Sequence, residues 1–246
     1  MILYQVEQGI ARITLNRPEK RNALNPELIA ELQKAVQDSD RLILLTGAGN
    51  DFCSGADLSG LQNQADANVL DHMASAREMA DLFIAMRRYP HPIIAAVRGR
   101  ALAGGCGLAT AADIILASES AKFGYPEVNI GFVPAMVMAI LRRCVSEKRA
   151  FELITTGDVV SAQTAFDHGL VNRVFADETF DVDVHAFTSK LASKSQSALM
   201  LSKRLLYHMD NMTFEAAIEA GVQTNVIARS TEDCKRGIER FLKKTT

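Results

Sequence analysis

Residues 93–117 read IIAAVRGRALAGGCGLATAADIILA, and this stretch decides the fold class. Ile93–Val97 is a short apolar run of strand type, set off upstream by His91-Pro92. A Gly-rich turn follows, Ala103-Gly104-Gly105-Cys106-Gly107-Leu108, and opens a short helix. Ile114–Ala117 is apolar again. Strands alternating with helices suggest an α/β core. Arg98, Arg100 and Asp113 interrupt the same stretch. A membrane-spanning helix needs about 20 nearly uncharged residues, so this segment is not one.

The order repeats on either side. Upstream, Arg41–Thr46 (RLILLT) is an apolar run closed by Gly47-Ala48-Gly49-Asn50, which reads as a buried strand. Before it, Asn25-Pro26-Glu27 opens a helix, with Asn as N-cap, Pro in the first turn and Glu near the positive end. Leu28, Leu32, Ala35 and Val36 give that helix one buried face. Ile2–Glu7 and Ile10–Leu15 read as a hairpin turned at Gln8-Gly9, and Val69–Arg88 as a helix. Downstream, a brief strand is expected near Phe123. From Ala135 the pattern is mostly helical, with one strand at Val171–Phe175 and with Ser161 and Ser230 as N-caps of later helices. The expected organisation is a core over 1–190 and a C-terminal helical region over 191–246. Phe214, Ile218, Val222 and Val226 form an apolar stripe that suits either the chain's own core or a subunit interface.

Bulk properties narrow the function. The chain has 246 residues, a formal net charge of -2, 48% hydrophobic and 23% charged residues. Disorder is excluded by that apolar content. There is no basic excess to neutralise nucleic-acid phosphates, so a polyanionic ligand must be held locally. The first residues, Met1-Ile2-Leu3-Tyr4, lack a secretory pattern, and Cys53, Cys106, Cys144 and Cys234 lie far apart. A reduced, cytoplasmic protein with free thiols is expected. His72, His91, His168, His185 and His208 show no metal-ligand spacing, so no metal is expected.

Three glycine-bearing segments carry the chemistry: Phe52-Cys53-Ser54-Gly55-Ala56-Asp57-Leu58, Ala103–Leu108, and Phe123-Gly124-Tyr125-Pro126-Glu127-Val128-Asn129-Ile130-Gly131. Glycine lets backbone approach a ligand closely, and two N–H groups from different loops suit an oxyanion formed as a carbonyl is enolised. The plainer reading assigns these glycines to tight turns and close helix–strand packing.

In combination, and together with Leu15-Asn16-Arg17-Pro18-Glu19-Lys20-Arg21-Asn22-Ala23-Leu24 and TGDVVSAQTAFDHGLVNRV, these segments resemble the crotonase superfamily, the enoyl-CoA hydratase/isomerase family. The resemblance runs at least from Ile2 to Phe175. It implies a spiral of ββα units, a helical tail that builds a homotrimer or a dimer of trimers, and an acyl-CoA thioester as substrate. CoA then enters with the substrate and no separate cofactor is expected. Carried over by motif, the N–H groups of Ala56 and Gly104 form the oxyanion hole. Arg17, Lys20, Ala23, Leu24, Ser54, Asp57 and Leu58 line the CoA site, with Arg21 a further source of positive charge.

Hydratases of the family use two Glu residues. One matches Glu127; the other falls at Gly107, where this chain has none. Hydration needs a positioned water and a delivered proton, which suits paired carboxylates. Shifting a double bond from the 3- to the 2-position needs one base, so 3,2-enoyl-CoA isomerisation by Glu127 is the leading expectation. Hydration of a 2-enoyl-CoA is the rival, and a catalytically weak acyl-CoA-binding scaffold is a third reading. Tyr125 is read as a packing residue or a hydrogen-bond donor to substrate or water. Asp57 and Asp113 are read as structural, with Glu119 and Asp66 as remote candidates for a second acid. The apolar segment Gly131–Met138, bulky where many relatives carry glycine, is read as acyl-pocket lining or as core.

Overall fold

The computed structural model describes residues 1–57 and 68–245. Strands β1 (Ile2–Glu7) and β2 (Ile10–Leu15) form the expected hairpin, turned through Gln8 and Gly9 at positive φ. Helix α1 (Pro26–Asp38) starts where the sequence places it, with Asn25 Oδ1 accepting the Leu28 N–H. Strand β3 spans Leu42–Gly47, one residue later than expected. Helix α2 (Val69–Arg88) and strand β4 (Ile93–Val97) match their expected bounds.

Then come β5 (Arg100–Leu102), α3 (Gly104–Thr110), β6 (Ile114–Ser118) and β7 (Lys122–Gly124). The helical part contains α4 (Ala135–Cys144), α5 (Glu147–Thr156), β8 (Val159–Ser161), α6 (Ala162–Asp167) and β9 (Arg173–Phe175). Helices α7 (Phe180–Ala192), α8 (Gln196–His208), α9 (Phe214–Ser230) and α10 (Glu232–Thr245) complete the chain.

The strands sort into two sheets. One has the order β1-β2-β3-β4-β6-β9, parallel apart from the hairpin; the other has the order β5-β7-β8. Successive turns of the chain place a long strand in the first sheet and a short one in the second. Thus β4 leads to β5 and β6 to β7, while β3 leads to Cys53, which bridges Ala101 of β5. Ala56 in turn bridges Leu24. This is the ββα spiral.

Both faces of the first sheet are covered. Ile43 and Leu45 face a core with Leu28, Leu32 and Val36 of α1 and Leu82, Phe83 and Met86 of α2. Leu42 and Leu44 face the opposite way, with Phe180 and Val184 of α7. Coverage on both sides explains why β3 reads as an unbroken apolar run instead of an alternating one.

Two details depart from the sequence reading, and a third resolves one half of an alternative it left open. The strands β5 and β8 were not anticipated, because three residues carry too little pattern. Ser230 is not an N-cap: it ends α9, its Oγ donating to the Ile227 carbonyl at 2.7 Å, and Thr231 Oγ1 accepts the Cys234 N–H of α10. The stripe of Phe214, Ile218, Val222 and Val226 does not pack on the chain's own core; each side chain is more than half exposed. Among the described residues no helix is long and apolar enough to cross a membrane.

A buried ion pair fastens the tail to the core, beside the more exposed pairs of Asp210 with Arg87 and Arg143. Lys203 of α8 reaches Asp113 Oδ2 at 2.8 Å and the His91 carbonyl at 2.9 Å. Asp113 also accepts the Ile93 N–H at 2.6 Å and the Tyr207 hydroxyl. Burial pulls the Lys203 ammonium below its usual pKa, and the Asp113 charge opposes that pull. Removing one partner leaves the other buried and unpaired, so Lys203→Ala is expected to lower the unfolding free energy by about 3–5 kcal/mol. Arg149→Ala, which breaks an exposed pair with Glu152, should change it by less than about 1 kcal/mol. Equilibrium denaturation at neutral pH measures both.

Candidate active site

The turn at 17–24 and the loop at 53–57 are knitted into one unit. Ser54 N–H donates to the Arg21 carbonyl, Leu24 N–H to Gly55 and Asp57 N–H to Leu24, at 2.8 to 3.0 Å. Asn22, fully buried at positive φ, holds the inner side: its Nδ2 donates to the carbonyls of Ala48 and Asp51, and its Oδ1 accepts the Arg17 N–H. The Arg17 guanidinium donates to the Ala23 carbonyl at 2.6 Å and pairs with Asp57 at 3.0 Å. Behind the loop, Arg100 clasps Asp51 in a two-pronged pair at 2.8 Å per contact, which holds the Asp51 carboxyl below its ordinary pKa.

Two backbone N–H groups are aimed by the planarity of the peptide. A trans peptide points its C=O and N–H in opposite directions. The Gly55 carbonyl accepts from Leu24, so the Ala56 N–H points away from Leu24. The Ala103 carbonyl accepts from Gly107 inside the first turn of α3, so the Gly104 N–H points out of the helix. The two loops touch where Gly55 sits, at φ +98°. A Cβ there would stand 2.8 Å from Ala103 Cβ and 3.5 Å from Gly104 N. Ala103 itself holds φ 50° and ψ -128°, a region that costs an L-residue of order 1–3 kcal/mol. That strain swings the chain from β5 into α3. Gly105 presses α3 onto the loop: a Cβ there would overlap the Cys53 carbonyl and meet Cys53 Sγ at 2.7 Å.

Glu127 lies on a 3-10 turn, Pro126–Ile130, that leaves the end of β7. Strands β5 and β7 are parallel neighbours, with Leu102 opposite Gly124. Their C-terminal ends therefore deliver Gly104 and Glu127 to the same end of the second sheet, from strands about 4.8 Å apart. Gly131, at φ +73°, closes the turn, and Gly157 at the end of α5 buttresses it against Val128 and Asn129. Glu127 Oε2 is buried and, among the described residues, has no hydrogen-bond partner. Desolvation consequently raises its pKa above the ordinary 4.5.

What stands beside Gly107 is a wall of side chains. A Cβ at 107 would overlap Val137 Cγ2 and lie 3.3 Å from Phe83 Cζ. Val137 and Phe83 are both buried, at 4% and 6% exposure. The segment Gly131–Met138 thus divides: Val137 packs inward, whereas Phe132 and Val133 are exposed.

Of the residues singled out in the sequence, Arg17, Ala23, Leu24, Ser54, Ala56, Asp57, Gly104 and Glu127 sit on segments that the fold brings together. Lys20 lies at the exposed outer side of the 17–24 turn, and Leu58 and Asp66 fall outside the described residues. Asp57 is an ion-pair partner of Arg17, and Asp113 is the anchor for Lys203. Glu119 is exposed and accepts the Asp177 N–H. Tyr125 is fully buried. Sequence reasoning missed Asn22, Thr110 and Val137; Asn is enriched at positive φ, which is the one signal that singles out Asn22.

The glycine loops, the two aimed N–H groups and the buried carboxylate define an enzyme of the crotonase fold. The chain belongs to the enoyl-CoA hydratase/isomerase family, whose model matches residues 5–246. It is 34% identical to the crotonyl-CoA hydratase of Syntrophomonas wolfei, over 99% of this chain and 95% of that protein. It is also 34% identical to the 2,3-dehydroadipyl-CoA hydratase of Escherichia coli, over 98% and 94%. An enoyl-CoA hydratase crystal structure from Mycobacterium smegmatis superposes with a TM-score of 0.93 at 32% identity, covering 99% of this chain and 96% of that one.

Two outcomes follow from this geometry. Gly107→Ala should destabilise by about 1–3 kcal/mol, and Val137→Ala in the same chain should recover most of that, because the smaller side chain at 137 makes room for the added methyl and the methyl fills the space left. A double-mutant cycle by chemical denaturation reads the coupling. For Glu127, a folded-state pKa above the unfolded value makes ionisation weaken folding as pH rises through the folded value. Glu127→Gln should therefore raise the melting temperature near pH 7, with the gain vanishing below about pH 4.5, the ordinary value.

Proposed function

We propose that the protein isomerises 3-enoyl-CoA thioesters to their 2-enoyl isomers, with Glu127 as the single acid/base. The observation that carries this reading is the sealed position 107: where a second carboxylate would have to stand, Val137 and Phe83 fill the space. In this mechanism the thioester oxygen accepts hydrogen bonds from the Ala56 and Gly104 N–H groups. Glu127 takes a proton from C2, the two N–H groups stabilise the dienolate oxygen, and the same carboxyl returns the proton at C4. The raised pKa suits this cycle, because a carboxyl that must both take and give a proton works best near the operating pH. An apolar wall in place of a polar partner also keeps water from the intermediate.

CoA is read as lying along the 17–24 and 53–57 unit, with Lys20 and Arg21 nearest its phosphates, since Arg17 is engaged with Asp57. The exposed stripe on α9 is read as subunit surface, in a trimer or a pair of trimers.

A second reading, hydration of a 2-enoyl-CoA, is favoured by the names of the relatives, which are hydratases. Separate incubation with a 2-enoyl-CoA and a 3-enoyl-CoA discriminates the two. The isomerase reading expects conversion of the 3-enoyl substrate and slow water addition to the 2-enoyl one; rapid hydration reverses the order. Under either, Glu127→Gln is expected to lower kcat/KM by at least ~100-fold, the scale for loss of a general acid/base. Inactivity on both substrates with retained CoA binding would point instead to a scaffold.

A further inference from the structure

We propose that Tyr125 and Thr110 are positioning residues that fix Glu127 against the oxyanion-hole helix α3, an inference that rests on the acid/base role given to Glu127. Tyr125 immediately precedes the 3-10 turn that carries Glu127, yet its side chain leaves that turn and runs under α3, fully buried. Its hydroxyl lies 2.7 Å from Thr110 Oγ1, and Thr110 is the last residue of α3. Thr110 has one hydroxyl proton, and it is engaged with the Cys106 carbonyl at 2.7 Å. The Tyr125 hydroxyl must therefore be the donor, and the chain of hydrogen bonds runs one way, Tyr125 to Thr110 to Cys106.

The other end of α3 is tied to the same turn through backbone. Ala103 N–H donates to the Gly124 carbonyl at 2.9 Å. The helix between these ties is short, about 10 Å at 1.5 Å per residue. A rigid rod held near both ends by consecutive residues, Gly124 and Tyr125, cannot tilt relative to them. Gly104 sits at one end of that rod, and Glu127 is two residues beyond the tie. The pair of attachments thus sets the position of the base against the N–H donor. With α3 clamped at Gly105 and Gly107, removing the side-chain tie frees the turn that carries Glu127 to shift against the helix, and misplacement of reacting groups by about 1 Å can cost up to ~100-fold in rate. Burial supports the tie: a fully buried Tyr hydroxyl needs a partner, and Thr110 supplies it.

Tyr125→Phe keeps the ring and deletes the donor; Thr110→Val keeps the shape and deletes the acceptor; Thr110→Ser retains the hydroxyl. On the substrate the enzyme turns over, the two deletions are each expected to lower kcat about 10-fold with KM within about 2-fold. The double variant should be no worse than either alone, and Thr110→Ser should stay near the parent. Loosening the turn also admits water to the carboxyl. The Glu127 titration midpoint, followed by carboxyl 13C NMR, is therefore expected to fall toward 4.5 in Tyr125→Phe and to stay in Thr110→Ser. Parental kcat and midpoint in Tyr125→Phe would overturn the proposal, as would additive losses in the double variant. Failure of the underlying reading looks different: Glu127→Gln would retain turnover, while the NMR midpoints still report whether the tie positions the carboxyl.

Discussion

The structure turns on how closely α3 can approach the 53–57 loop. At Gly105 and Gly55 there is no room for a methyl group, and what would block it is backbone as much as side chain. Backbone cannot rotate aside as a side chain can, so this contact sets the spacing of everything attached to it. The N–H groups of Ala56 and Gly104 owe their common neighbourhood to it, and planar peptides fix their direction. The strained Ala103 is what such proximity demands: it is the single residue between the end of a strand and the start of a helix, and it takes the whole change of direction. The glycines thus serve packing, and under the proposed mechanism the same close packing places the two N–H groups.

Much of this was legible in the sequence, for identifiable reasons. Strands β3, β4 and β6 were readable because both faces of their sheet are buried, which leaves uninterrupted apolar runs. Helix α1 announced itself through Asn25 and Pro26. What the sequence did not disclose are features that depend on two distant residues meeting. Val137 is an ordinary apolar residue until it is found against Gly107. Lys203 looks like any solvated lysine until Asp113 and the His91 carbonyl surround it. Ser230 misled because Ser and Thr cap equally well, and the neighbouring Thr231 took the role. Strands β5 and β8 are too short to show a period and owe their existence to β7 between them.

Position 107 shows how a glycine can be held in place by its neighbours. With glycine there, α3 and α4 pack until Val137 reaches the helix backbone, and Phe83 of α2 completes the enclosure. A β-branched side chain has few alternative rotamers in a helix, so Val137 cannot readily swing away. Placing a large residue at 107 by a single substitution would meet that wall, and accommodating it needs coordinated changes on more than one helix. Glu127, for its part, has a buried oxygen with no hydrogen-bond partner among the described residues, and desolvation raises its pKa.

Lys203 also bears on what counts as a unit of folding. Asp113 lies three residues beyond Thr110, so the anchor of the tail is continuous with the helix that carries Gly104. Releasing α8 would take the cation from the Asp113 carboxylate just before β6, leaving it the Ile93 N–H. The core and the tail, told apart in the sequence by their order of strands and helices, thus share one buried ion pair. A charge on the tail and a charge at the edge of the core each depend on the other for their partner.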